Sequence, residues 1–313
     1  MKRARNVVAT DFCISCLLCL SALGQAVGPS TPPPTGFGHA YSITSKTNAL
    51  SIRAIADYSY VAPGDVSFQG TKTRSDANAF SVGLSTEIPV AEKWFVPAEL
   101  GSRNLLLGTV EGAPIPDRVH TLGFQTGAGY RLDDRWTFLG TIGPRLYRLD
   151  NIGGDDIGVA GVVRAVYKWR PDFTLGFGIA FEPDNQIPVL PLAGFRWDIE
   201  TNLTLNFMWP GPALIYRLDA RTTVFLRAGG NFMVFRGDSN LGSKINQPMF
   251  NNALGTYRDF HLGPGAEYRL LSGVSVGLQS GYSVGRQINY TRLDQTVSFK
   301  PSPFVTLDLV CRF

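Results

Sequence analysis

Three histidines, His39, His120 and His261, are the only imidazoles in the chain's 313 residues. Hydrolysis by a serine nucleophile would need a Ser, a His and an orienting Asn, Gln or Glu close together. Strand parity places His261 on an inward face with Glu267, and His120 on an outward face with Leu122 and Phe124. The two histidines therefore do not converge, and a polar residue at a water interface is the simpler reading of each. No catalytic residue is assigned. No His or Cys pair has metal-ligand spacing. Asp150, Asp155 and Asp156, around Gly153-Gly154, could hold calcium in a surface loop. Acidic loop residues are more often simply solvated, so no metal site is assigned. Gly176 and Gly178 form no phosphate loop, because no helix follows them. No cofactor is implied.

The most informative polar set is a row of cations, each one step after an aromatic: Arg131, Lys168, Arg196, Arg217 and Arg269, with Arg312 at a comparable height. If the aromatic points to lipid, the next residue points inward, and the six ring one end of a lumen. Glu87, Asp198, Glu267 and Asp308 are the candidate counter-charges. Such a ring would favour anions at a constriction. It would equally serve as a salt-bridge network stiffening the floor, and that reading is preferred because buried cations need partners.

These residues sit on strands. Beyond residue 48 the hydrophobic pattern alternates with period two and shows no sustained helical period. In Phe173–Phe181 one face is Phe173, Leu175, Phe177, Ile179 and Phe181, and the other is Thr, Gly and Ala. Leu203–Trp209 and Val274–Val284 split the same way. A lipid-facing exterior and a small, polar inner face would produce this pattern. Five turns repeat one plan of aromatic, cation, apolar residue, short polar turn and new strand, starting at Tyr130, Tyr167, Phe195, Tyr216 and Tyr268. Val90–Trp94 fits more loosely. Aromatics at one height beside tight turns make an interfacial girdle. The alternate connections, Ala62–Ala77, Glu111–Asp117, Asp150–Asp156 and Arg236–Asp259, are longer and polar.

Residues 1–26 read as a secretory signal peptide, with Lys2, Arg3 and Arg5 before the apolar stretch Phe12–Leu23. Cys13, Cys16 and Cys19 would leave with it, so Cys311 remains alone and no internal disulfide can form. Residues 27–48 form a Pro-rich periplasmic linker, and 49–313 the barrel. The formal charge is +4, of which the leader contributes +2, too little for a nucleic-acid surface. Mean hydropathy of +0.02 and the lack of a long apolar run exclude a helical membrane protein.

The last strand alternates through Val305, Leu307, Leu309, Cys311 and Phe313, where the chain stops. It resembles the terminal signal, carried by Leu307, Leu309 and Phe313, that barrel-assembly machinery reads. The stretch from Pro191-Leu-Ala-Gly-Phe-Arg-Trp-Asp through Leu205-Asn-Phe-Met-Trp-Pro-Gly-Pro to Tyr216-Arg-Leu-Asp resembles a family of uncharacterised bacterial outer-membrane β-barrel proteins, porin-like in layout. The resemblance implies a fold and a location in the outer membrane of a Gram-negative cell, and no activity.

The expected architecture is a transmembrane antiparallel up-and-down β-barrel of about fourteen strands, or twelve if the hairpin at Trp209-Pro-Gly-Pro212 is lost. The main fold alternative is a soluble β-sandwich. The leading expectation for function is a passive porin-like channel for small polar or anionic solutes, not an enzyme, with outer-membrane lipid as its partner and homo-oligomers allowed. Three alternatives stand beside it: a hydrophobic-ligand transporter of the fatty-acid type, a lipid-modifying enzyme, and a structural or adhesive barrel with a closed lumen. A Ser–His pair meeting at the rim would single out the enzyme.

Overall fold

The computed structural model describes residues 50–108, 110–149, 152–208 and 211–313. The leader, the linker with His39, Asp150 and the Trp209-Pro210 pair lie outside the described residues.

The strands are β1 (Ser51–Phe68), β2 (Thr71–Pro89), β3 (Trp94–Leu107), β4 (Arg118–Arg131), β5 (Trp136–Leu146), β6 (Ile157–Arg170), β7 (Phe173–Phe181), β8 (Val189–Asp198), β9 (Leu203–Asn206), β10 (Ala213–Arg217), β11 (Thr222–Arg236), β12 (Leu254–Leu271), β13 (Val274–Tyr290), β14 (Gln295–Phe299) and β15 (Ser302–Arg312). Each pairs antiparallel with its neighbour, and β1 pairs with β15 to close the barrel. Both β13 and β1 pair with β14 as well as β15, so these two occupy one position in the wall. Pro301 stands between them, and a residue without an N–H interrupts a ladder. The described wall thus has fourteen staves. The fold is a closed transmembrane β-barrel.

Six short turns and the two ends of the wall lie on one side, and the longer connections lie on the other together with the tight β1–β2 turn. Two of the repeated turns share a mechanism. Asp133 accepts hydrogen bonds from the N–H groups of Trp136 and Arg135, and Asp219 from those of Arg221 and Thr222. Those donors hold both carboxyls below the usual carboxylate range. Above the turns the aromatics form an outward band, with Trp94 against Tyr130 at 4.6 Å, Trp136 on Tyr167 at 4.5 Å, and Phe195 stacked between Phe173 and Phe207 at 5.7 Å each. Tyr216 and Tyr268 also face out.

Two of the expected loops are corrected. Ala62–Ala77 is not a loop, because β1 and β2 run on to a two-residue turn at Gln69-Gly70 with φ of 45° and 83°. Val66 and Phe68 continue the inward alternation, and a register shift between Val61 and Gly64 absorbs Pro63. The Arg236–Asp259 connection is likewise shorter, since the strand resumes at Leu254.

The interior also departs from the mostly small and polar face read from the sequence. On the loop side, Phe68, Leu105, Met233, Phe235, Ile288 and Tyr290 form a buried apolar cluster. Loop residues Ile115, Leu241 and Phe250 fold down into it. Burying each large side chain contributes roughly 1.5–3 kcal/mol, which offsets the ordering of the loops. A bulge assists. Gly285 adopts φ +63° where the pairing to β12 shifts between Arg258 and Phe260, and the phase change turns Arg286, Ile288 and Tyr290 inward.

Candidate functional site

The interior has two halves with different contents. β4 and β11 share no hydrogen bonds, yet they approach within 8 Å between Cα atoms. Val119 of β4 and Met233 of β11 belong to the same apolar cluster. The neighbouring β4–β5 ladder keeps one register but has no pairing between Gly123–Arg145 and Thr126–Ile142, where Pro144 has no N–H to give, and Gly143 packs on the Phe124 carbonyl.

The half enclosed by β11 to β15 and β1 to β4 is filled. Below the apolar cluster lies a buried polar layer. Arg227 and Asp308 face each other at 3.8 Å, Asp57 accepts from the Ser81 hydroxyl, and the Arg103 charge acts on Asp57. Asp259 holds His261 Nε2 at 2.7 Å and accepts from Ser283 Oγ at 2.5 Å and Tyr257 at 3.2 Å. The His261 ring stacks on Phe304 at 4.4 Å. Gln279 donates to the carbonyls of Arg227 and Gly263. Buried charges of this kind persist only when paired and hydrogen-bonded.

The half enclosed by β4 to β11 is not filled in this way. Its inward residues Val162, Val166, Leu190, Leu192, Met208 and Ile215 are half-buried, while Leu139 and Thr141 of the same half are buried. Arg164, Thr174 and Asn206 interrupt this apolar lining. An Arg145–Glu182 pair at 2.9 Å stands at its loop-side mouth.

The six cations of the row all project inward near the turns. Arg131 pairs with Glu87 at 3.3 Å and covers the Phe95 ring at 4.4 Å. Arg196 pairs with Asp198 at 2.9 Å, and Thr204 donates to the same carboxylate at 2.7 Å. Arg312 lies in the field of Glu267 and Arg269. Lys168 and Arg217 are exposed at the turn-side opening. Asp308, one of the four counter-charges considered, sits higher and meets Arg227 instead. Arg227, Arg103, Asp57 and Asp259 were missed in the sequence; each is a charge on the inward phase of an otherwise apolar-out strand, which was the available signal.

On the loop side Asp156 is buried and taken up by Arg148 at 2.9 Å, Arg236 at 3.0 Å and the Gly153 N–H at 2.8 Å. That leaves its carboxylate no room for calcium, and among the described residues no cluster of three metal-ligating side chains occurs. His120 faces outward, and the hydroxyl of Ser102 lies 3.0 Å from its Nε2.

A family model described as a domain of unknown function, DUF6268, matches residues 91–309. The chain belongs to this family. No curated protein matches it. Among solved structures, the DUF6268 barrel is similar to an outer membrane channel from Pseudomonas putida F1, with 10% identity, 92% of this chain and 100% of that chain covered, and a TM-score of 0.47. It is also similar to a Pseudomonas aeruginosa FadL homologue at 8% identity, 84% and 90% coverage and a TM-score of 0.45. The P. putida toluene transporter TodX gives 11% identity, 84% and 90% coverage and a TM-score of 0.38.

Proposed function

We propose that this protein is a passive outer-membrane channel whose β4–β11 half takes small apolar molecules. The observation that carries the reading is the half-buried lining of Val162, Val166, Leu190, Leu192, Met208 and Ile215, set beside a second half that holds the buried apolar cluster. Apolar walls with a few polar groups suit an apolar ligand. The anion-selective alternative is weakened because Arg131 and Arg196 spend their charge on Glu87 and Asp198. The outward apolar strands and the aromatic band support membrane residence.

The test is binding of the apolar fluorophore N-phenyl-1-naphthylamine by the purified barrel, with planar-bilayer conductance in parallel. Saturable fluorescence enhancement, reduced at least about tenfold in affinity by Leu192→Arg, is expected, since a desolvated charge in the path costs more than 1.4 kcal/mol. Steady anion-preferring current that falls in Arg217→Ala, without fluorophore binding, would return the protein to the polar-pore reading.

A further inference from the structure

The outside of the wall carries a cluster of polar side chains at Ser102, Asn104, Arg118 and His120, independent of the lumen and of the channel reading. Trp94 pairs with Tyr130 in the aromatic band, and ten residues further along both strands Asn104 pairs with His120. A membrane-crossing strand takes about 9–11 residues. The Asn104–His120 rung therefore lies at the opposite interface, on the loop side, where the facing leaflet meets water.

Reading down the outward face of β4 gives Arg118, His120, Leu122 and Phe124 at steps of about 7 Å. Arg118 is exposed, and its Nε donates to Asn104 Oδ1 at 2.9 Å, which anchors the guanidinium at the rim. One rung lower, Ser102 and His120 meet at 3.0 Å. Below them Leu100, Phe124 and Leu84 are 46%, 43% and 48% exposed on the lipid-facing surface. Cation, hydroxyl–imidazole pair and apolar surface follow one another in the order phosphate, ester and acyl chain of an interfacial lipid.

From this alignment we infer that Ser102 and His120 are a catalytic pair that hydrolyses acyl esters of phosphorylated lipids in the facing leaflet, with Arg118 binding the phosphate. A serine beside an imidazole supplies the nucleophile and the general base, two of the three parts that hydrolysis by a serine uses. The Ser102 hydroxyl adds to the ester carbonyl while its proton passes to His120 Nε2. Collapse of the tetrahedral adduct breaks the acyl C–O bond, and the departing alcohol takes that proton as the deacylated lipid leaves. Water then adds to the acyl-serine with His120 accepting its proton, the fatty acid departs, and the hydroxyl is restored. The sequence consumes one water and needs no oxidant, reductant or metal.

The experiment uses the full chain folded in detergent, its barrel verified by heat-modifiable migration. It is treated with a fluorophosphonate and, separately, supplied with mixed micelles of dioleoylphosphatidylglycerol or of lipid A. Expected are a covalent label mapped to Ser102, loss of label in Ser102→Ala, and fatty-acid release that falls about 10²–10⁴-fold in His120→Ala. Arg118→Gln should raise KM and leave kcat near its starting value. Oleate release identifies a glycerophospholipid substrate, and hydroxylated or secondary acyl chains identify lipid A. A folded barrel that neither labels nor releases acyl chains overturns the inference, as does release unchanged in Ser102→Ala. Labelling without release from either lipid overturns its lipid-hydrolase content.

Discussion

Phe313 and Ile52 exchange both backbone hydrogen bonds across the closing seam, Phe313 N–H to the Ile52 carbonyl at 2.9 Å and Ile52 N–H to the Phe313 carbonyl at 3.1 Å. Phe313 thus forms the turn-side rung that joins β15 to β1. Deleting Phe313 removes both bonds, whereas Phe313→Leu keeps them. The deletion should destabilise the barrel by about 1–3 kcal/mol, from two net hydrogen bonds, and the leucine variant by much less. Urea unfolding in detergent reads the difference. If Phe313 also serves the assembly machinery as proposed from the sequence, the deletion will lower the amount in the outer membrane beyond that loss.

The Arg227–Asp308 pair makes a second prediction. Both side chains are buried, so Asp308→Ala leaves a guanidinium without its nearest carboxylate and should cost about 3–5 kcal/mol. Replacing both, as Arg227→Met with Asp308→Leu, should recover most of that. A double-mutant cycle by urea unfolding measures the coupling.

Acid should release the loop-side strap. Burial works to raise the Asp156 carboxyl, but the Gly153 N–H, Arg148 and Arg236 together hold it below the usual carboxylate range. A carboxyl depressed in the folded state stabilises it fully above the unfolded value near about 3.9 and loses that contribution as pH falls through the folded pKa. Hydrogen exchange in residues 237–253 should therefore be slow at pH 7 and accelerate below about pH 4. Asp156→Asn should show the acid behaviour already at pH 7. Equal protection of that loop at both pH values would count against the strap.

The close approach of β4 and β5 at Gly143 is a fourth target. A Cβ on Gly143 would overlap the Phe124 carbonyl, which is backbone and cannot turn aside. Gly143→Ala should cost about 1–3 kcal/mol through overpacking, read by urea unfolding in detergent.

Much of the fold was local information. Side chains alternate with period two, so Phe177 and Gly178 on the same strand reveal which way each faces without any knowledge of the neighbouring strand. The repeated turns at Tyr130 and Tyr216 carry their own chemistry, an Asp that accepts the next backbone donors, so they too were legible. Strand number, the side of the short turns and the aromatic band follow from these alone. Partnership did not. Arg227 and Asp308, or Ser102 and His120, share a face by parity, but whether they meet depends on register between strands and on how the wall is bent. The β3–β4 register sets the second pair, and the wall's closure, with the bulge at Gly285 and the inward fold of Ile115 and Phe250, sets what meets across the interior. Each is a long-range packing choice, because the same alternating strands would also close around an evenly open lumen.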